Sequence, residues 1–217
     1  MAPDPNKVKN PQFKGKMKKL NLLWIVLIGL TLVISSCGKK EEISDDDDSS
    51  CVTSTAASGS ITVGSETFSG VYATECVTED LPSLLKGINL VIVVTGDSTF
   101  SYEIHLYDDT SCNTVSGYWK NGRASVTVGA ASGSNYKVDF TKSTLKVLAN
   151  TTPAESYFEE AFENVNLTVG EEYSGTDSGE ARKTLIYVTS NTIRLGHSSS
   201  SNYPSDVDSN ELKKTSQ

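Results

Sequence analysis

Hydrophobic and polar residues divide the chain into three regimes. Leu20 to Ile34 is an apolar run broken only by Asn21, Gly29 and Thr31. Gly38 to Ser60 (GKKEEISDDDDSSCVTSTAASGS) is polar, with Ile43 its one strong aliphatic residue before Val52. From Ile61 onward, apolar residues recur at alternate positions in short runs separated by Gly, Asn, Asp and Ser. That period belongs to half-buried β-strands.

The alternation predicts strands at Ile61 to Val63, Phe68 to Cys76, Thr99 to Tyr107, Thr114 to Trp119, Arg123 to Gly129, Tyr136 to Thr141, Thr144 to Leu148, Thr184 to Thr189 and Thr192 to Leu195. Ile88 to Thr95 (INLVIVVT) is continuously apolar and β-branched, as expected of a strand covered on both faces. It joins the next strand through Thr95-Gly96-Asp97-Ser98 as a hairpin. In Thr99 to Tyr107, Phe100, Tyr102, Ile104 and Leu106 share one face, read as interior; Glu103 and His105 share the other, read as solvent-facing. Asn121-Gly122 and Ala131 to Asn135 read as turns, and Glu171 to Glu180 as an acidic loop.

One segment breaks the rhythm. Thr152-Pro153-Ala154-Glu155 is a capping box with proline at the first helical position. Tyr157, Phe158, Ala161, Phe162 and Val165 follow at helical spacing, which predicts a short helix from Pro153 to Glu163 packed on the sheet. About ten short strands and one helix make an all-β domain. Strands at this spacing are the sign of an up-and-down antiparallel barrel, of about 8–10 strands, or of a sandwich; a closed barrel removes the exposed edges that INLVIVVT would otherwise present.

The apolar run Leu20 to Ile34 follows Lys18 and Lys19 and ends Ile34-Ser35-Ser36-Cys37. A basic head, a short apolar core and small residues make a secretory signal; the core is short of the ~20 residues a spanning helix needs. The ending resembles the lipobox of bacterial lipoproteins. That resemblance implies a signal peptide over residues 1–36, with 1–16 a start-site extension before Met17, and acylation of Cys37 as the new N-terminus. Gly38, where Asp would retain such proteins in the inner membrane, implies passage to the outer membrane. The expected localisation is the bacterial cell envelope, lipid-anchored, with the membrane as a partner. The Lys39-Lys40-Glu41-Glu42 run is similar to acidic surface-export signals of such lipoproteins.

The formal net charge is −8. Lys7, Lys9, Lys14, Lys16, Lys18 and Lys19 all precede Cys37 against Asp4 alone, so the mature part is more acidic still. Such a surface repels phosphate backbones and excludes nucleic acid as a partner. Residues 37–60 read as a disordered acidic tether, 61–205 as the barrel domain and 206–217 as a polar tail. Asp45 to Asp48 lacks the ligand spacing of a dedicated calcium loop. Beyond Cys37 three cysteines remain, Cys51, Cys76 and Cys112. An odd number leaves one over or pairs it between chains.

Tyr107-Asp108-Asp109-Thr110-Ser111-Cys112, Gly117-Tyr118, Cys76 upstream, Ile193-Arg194-Leu195-Gly196 and Tyr203-Pro204 occur in order. Together they resemble the lipocalin-like domains of some bacterial lipoproteins, related to the APCDD1-like barrels. Gly70-Val71-Tyr72 stands where lipocalins carry Gly-x-Trp. The resemblance implies a barrel and a two-cysteine clamp, Cys76 with Cys112; pairings of Cys51 with either are the alternatives.

No Gly-x-Ser-x-Gly, His-Glu-x-x-His or Cys-x-x-Cys occurs. His105 and His197 are the two histidines, and Glu159-Glu160 and Glu171-Glu172 are adjacent acidic pairs rather than a spaced dyad. The expectation is no enzyme, no metal and no cofactor. Two functions stay open. One is a barrel that binds a small apolar ligand, with Phe100, Tyr102, Ile104 and Tyr118 as lining candidates. The other is a filled barrel that binds an envelope protein or surface polymer through its outside.

Overall fold

Residue alternation closes on itself once all the strands are paired. In the computed structural model, which describes residues 54–79, 81, 85–162, 166–177 and 179–215, the strands are β1 (Ile61–Val63), β2 (Glu66–Phe68), β3 (Val71–Ala73), β4 (Gly87–Gly96), β5 (Thr99–Tyr107), β6 (Val115–Ser132), β7 (Asn135–Ala149), β8 (Glu172–Thr176), β9 (Ala181–Val188), β10 (Thr192–Leu195) and β11 (Leu212–Lys214), with one helix, α1 (Thr152–Ala161). The predictions on the signal segment, Cys37, Asp45 to Asp48, Cys51 and Val165 lie outside the described residues. Each of β3, β4, β5, β6, β7, β9, β10 and β11 pairs antiparallel with the next, and β11 pairs with β3. This is a closed up-and-down barrel of eight strands. β8 lies along the second half of β7, and β1–β2 form a separate hairpin.

β4 carries out its sequence reading. Ile88, Ile92 and Val94 enter the barrel, while Val91 and Val93 pack outside with Val71, Ala73 and Ala57. Inside, two apolar clusters sit end to end. Ile61, Val63 and Phe68 of the hairpin join one, with Phe68 5.3 Å from Tyr72 and 6.1 Å from Phe100 between ring centroids. Leu106, Val147, Ala149, Ala154 and Phe158 form the other, under α1. Thr151, one residue before the predicted capping box, is the N-cap and accepts from Ala154 N–H. Gly117 lets the helix approach: a Cβ there would lie 3.1 Å from both Ala154 Cβ and Phe158 Cε2.

Several sequence readings need correction. Asn121-Gly122 is no turn. Asn121 is fully buried mid-strand, opposite Tyr102 on β5 and Leu145 on β7. A turn signal acts only when its flanks can pair with each other, and here both edges of β6 are already taken. Gly122 serves close packing, because a side chain there would collide with Ser143 and Thr144. β6 and β7 thus replace four predicted strands, and register shifts along β6 absorb their curvature. The acidic loop contains β8, which pairs Glu172 to Thr176 with β7.

The domain limits of 61–205 are also too narrow at both ends. Residues 54–60 of the expected tether lie on the barrel: Ser58 N–H donates to the Val94 carbonyl at 2.8 Å and Ser60 N–H to Asp97 Oδ1 at 3.1 Å. The expected polar tail contains β11, which closes the ring.

Cys76 and Cys112 form a disulfide with Cα atoms 5.9 Å apart. The Asp109 carboxylate shapes the loop before Cys112 by accepting from the N–H groups of Ser111, Asn113 and Thr114. Those bonds hold its pKa below the usual carboxylate range against the opposing effect of desolvation.

Candidate functional site

Strand parity decides what faces the interior. Phe100, Tyr102 and Ile104 of β5 lie opposite Arg123, Asn121 and Trp119 of β6. Those pair with Lys142, Leu145 and Val147 of β7, and Phe140 pairs with Arg182 of β9. The middle of the barrel, between the two apolar clusters, is therefore a polar belt.

A cavity of about 210 Å³ lies in this belt. Phe100, Tyr102, Arg123, Phe140, Thr184 and Leu195 line it, and Gly196 to Ser198 and Asp208 form its mouth, where His197 is exposed. The four predicted lining residues divide. Phe100 and Tyr102 line the cavity. Ile104 packs in the cluster under α1. Tyr118 is on the opposite side of the wall, 6.2 Å from His105 between ring centroids, under Lys120 Nζ at 4.4 Å, with its hydroxyl donating to Glu172. Arg123 escaped the sequence reading because the false turn broke the count. Trp119, Asn121 and Arg123 are alternate residues, and an uninterrupted strand sends all three inward.

Arg123 is only 9 % exposed. Its guanidinium carbon lies 4.7 Å from the Phe140 ring centroid and 5.9 Å from that of Tyr102. Burial draws its pKa down to about 10, which still leaves it charged at neutral pH. The charge of Asp177 opposes that fall and the charge of Arg182 adds to it. Arg182 meets Glu180 at 2.8 Å, and Lys142 meets Asp177 at 3.6 Å, where Asn121 Nδ2 also donates at 2.9 Å. Burial pushes the Tyr102 phenol up to about 12, with Arg123 opposing and Asp208 adding to the rise. Burial also raises Asp208, against the charge of His197.

The outer face of β5 is not the solvated face expected. Glu103 and His105 are 0 % and 2 % exposed. Residues 54–55 cover them: Thr55 donates to Glu103 Oε1 at 2.5 Å, and Lys120 Nζ donates to Ser54 Oγ at 2.8 Å. His105 Nε2 and Glu103 Oε2 are 2.7 Å apart, with Lys120 Nζ 3.6 Å from the same oxygen. His105 and His197, on opposite sides of the wall, do not meet. A second, larger pocket of about 460 Å³ flanks this cluster, lined by Ser54, Lys120, Lys146 and Glu172 and also by Phe100 and Arg123, which the two pockets share. In it Lys146 pairs with Glu172 at 2.9 Å; the Tyr102 and Phe140 rings beside the Arg123 guanidinium belong to the smaller pocket, which is the better ligand site.

The outer cluster makes stability pH-dependent. Burial alone would raise the Glu103 pKa; the His105 hydrogen bond, the charges of His105 and Lys120 and the Thr55 hydroxyl outweigh it and bring it from 4.5 to about 2. A depressed folded-state pKa contributes stability that is complete above the unfolded value and lost as pH falls through the folded one. Roughly 3 kcal/mol is expected to disappear between about pH 4.5 and 2. Urea unfolding at pH 6, 4 and 3 checks it: Glu103→Gln should flatten this part of the acid dependence, and an unchanged slope in the variant contradicts the assignment.

Comparison with protein-family models and with curated proteins finds no match. Over the described residues the fold defines the class: a lipocalin-like all-β barrel with eight antiparallel strands and one short helix.

Proposed function

We propose that this protein is a lipid-anchored protein of the bacterial envelope whose barrel takes up a small, largely apolar ligand in its interior. One observation carries the ligand reading: beside the first apolar cluster, the barrel keeps a cavity of about 210 Å³ walled by Phe100, Tyr102, Phe140 and Leu195 together with Arg123, Thr184, His197 and Asp208. A cavity of ~150 Å³ already holds a single-ring compound, so this one has room for such a body. Titration of the detergent-solubilised full chain with toluene, indole and hexanol tests it. Binding is expected for at least one probe, and Leu195→Trp, which fills the cavity, should weaken it about tenfold or more. Failure of every probe to bind would return the protein to the second reading, a barrel that acts through its outer surface. The favouring observation there is the extent to which the two clusters already fill the interior.

The anchor reading is supported by the lipobox-like Ile34 to Cys37 and by a charged segment that leads from it to the barrel. Cys37→Ser is expected to leave the precursor uncut or move the protein out of the membrane fraction. Each buried CH₂ of an acyl chain contributes ~0.8 kcal/mol, so several chains are needed for stable attachment. A variant that is cleaved and fractionates like the parent contradicts the anchor.

A further inference from the structure

Arg123 is the group in the cavity that the fold leaves least compensated. It is nine-tenths buried, and no described residue accepts a hydrogen bond from its Nη1. The charge of Asp177 acts on Arg123 while its carboxylate accepts from Asn121 and faces Lys142, and Glu180 accepts from Arg182 Nη2. Asp208 lines the same cavity, with the charge of His197 acting on it. Desolvating a guanidinium is costly, and here burial outweighs the favourable charge of Asp177. This barrel nevertheless holds one 4.7 Å from the Phe140 ring centroid, on the wall of a cavity that Phe100, Tyr102 and Leu195 share with Thr184, His197 and Asp208. A filled core would place an aliphatic residue at this inward position at lower cost.

The donor fork of a guanidinium matches a carboxylate, and a charge-assisted pair in such surroundings is about twice as strong as a neutral hydrogen bond. The rings of Phe100, Tyr102 and Phe140 suit a flat or short apolar body. A Tyr102 phenol that stays protonated at neutral pH provides a second donor.

We propose that the cavity binds a small organic anion, a one-ring or short-chain carboxylic acid, with its carboxylate on Arg123 and its apolar body against Phe100, Phe140 and Leu195. This inference rests on the ligand-carrier reading and deepens it. The volume excludes a long acyl chain, so the ligand is distinct from the lipid of the anchor.

Calorimetric titration of the detergent-solubilised full chain at pH 7 tests it, with sodium benzoate, its uncharged isostere benzamide, and toluene. Benzoate is expected to bind about tenfold or more tightly than benzamide. Arg123→Met, which keeps the stem and removes the fork, should abolish the preference for benzoate over benzamide. Arg123→Lys, with the charge but not the fork, should fall between. If Arg123→Met does not fold, the benzoate-to-benzamide ratio of the unmodified protein decides alone. Equal affinity for the two overturns the anion inference and leaves the ligand carrier standing. A benzoate preference that survives in Arg123→Met overturns the assignment to this residue. No binding of benzoate, benzamide or toluene overturns both readings.

Discussion

Deleting residues 209–217 is expected to destroy the native barrel rather than trim a tail. β11 is the stave between β3 and β10, pairing Lys213 with Ala73 and Thr192, Lys214 with Tyr72, and Leu212 with Ile193. Just beyond it, Thr215 N–H donates to the Val71 carbonyl at 2.9 Å, and Lys214 N–H reaches the Asn191 carbonyl at 2.8 Å. Leu212 is 2 % exposed, in one cluster with Tyr72 and Ile193. Loss of such a leucine costs about 2–5 kcal/mol, and each ladder hydrogen bond adds ~0.5–1.5 kcal/mol. Together these rival the ~5–15 kcal/mol that holds a whole domain. The opened edge also lies one strand from the apolar β4, so aggregation accompanies unfolding. Near-UV circular dichroism and the soluble yield of the deletion variant measure this. Leu212→Asp is the finer probe and should lower stability without shortening the chain. A deletion variant that melts within a few degrees of the parent would show that the ring does not depend on β11.

Removing the Cys76–Cys112 bond is expected to cost about 4 kcal/mol, the chain-entropy value for a closed loop of this length. The loop spans 36 residues in sequence and contains the whole β4–β5 hairpin. A loss of that size lowers the melting temperature of a domain this large by roughly 8–16 °C. The paired variant Cys76→Ala/Cys112→Ala, melted beside the oxidised parent, gives the measurement; coincident melting curves contradict it. Gly87 offers an independent check, because it opens β4 directly beneath the bond. A Cβ there would stand 2.7 Å from Cys112 Sγ and 3.0 Å from both Cys76 Sγ and the Asp109 carbonyl oxygen. Gly87→Ala should therefore destabilise the oxidised parent more than the cysteine-free variant, a coupling that a double-mutant cycle isolates.

Local pattern alone determined much of the barrel. INLVIVVT specified a strand buried on both faces, and Gly96-Asp97-Ser98 turned it back onto Thr99 to Tyr107 with Phe100, Tyr102 and Leu106 inward. The aromatic spacing after Pro153 specified α1, with Phe158 buried. These readings succeeded because a strand or helix that covers a core must repeat its apolar residues at its own period. Family resemblance supplied the pairing of Cys76 with Cys112, which the odd cysteine count left open.

What tertiary structure decided was where a local preference was overruled or where nothing local spoke. Asn121-Gly122 carries a strong turn signal, yet partners on both edges draw it straight, and that restores the parity that sends Arg123 inward. Leu212-Lys213-Lys214 and Glu172 to Thr176 show no strand pattern; they became strands because β3, β10 and β7 had open edges beside them. Glu103 and His105 have the alternation of a solvated face, and they are buried because residues 54–55, nearly fifty positions earlier, lie across them. Edge pairing and burial by distant chain are properties of the closed ring. A short window of sequence reports only how a segment meets its own neighbours, so these features come into view only when the ring is complete.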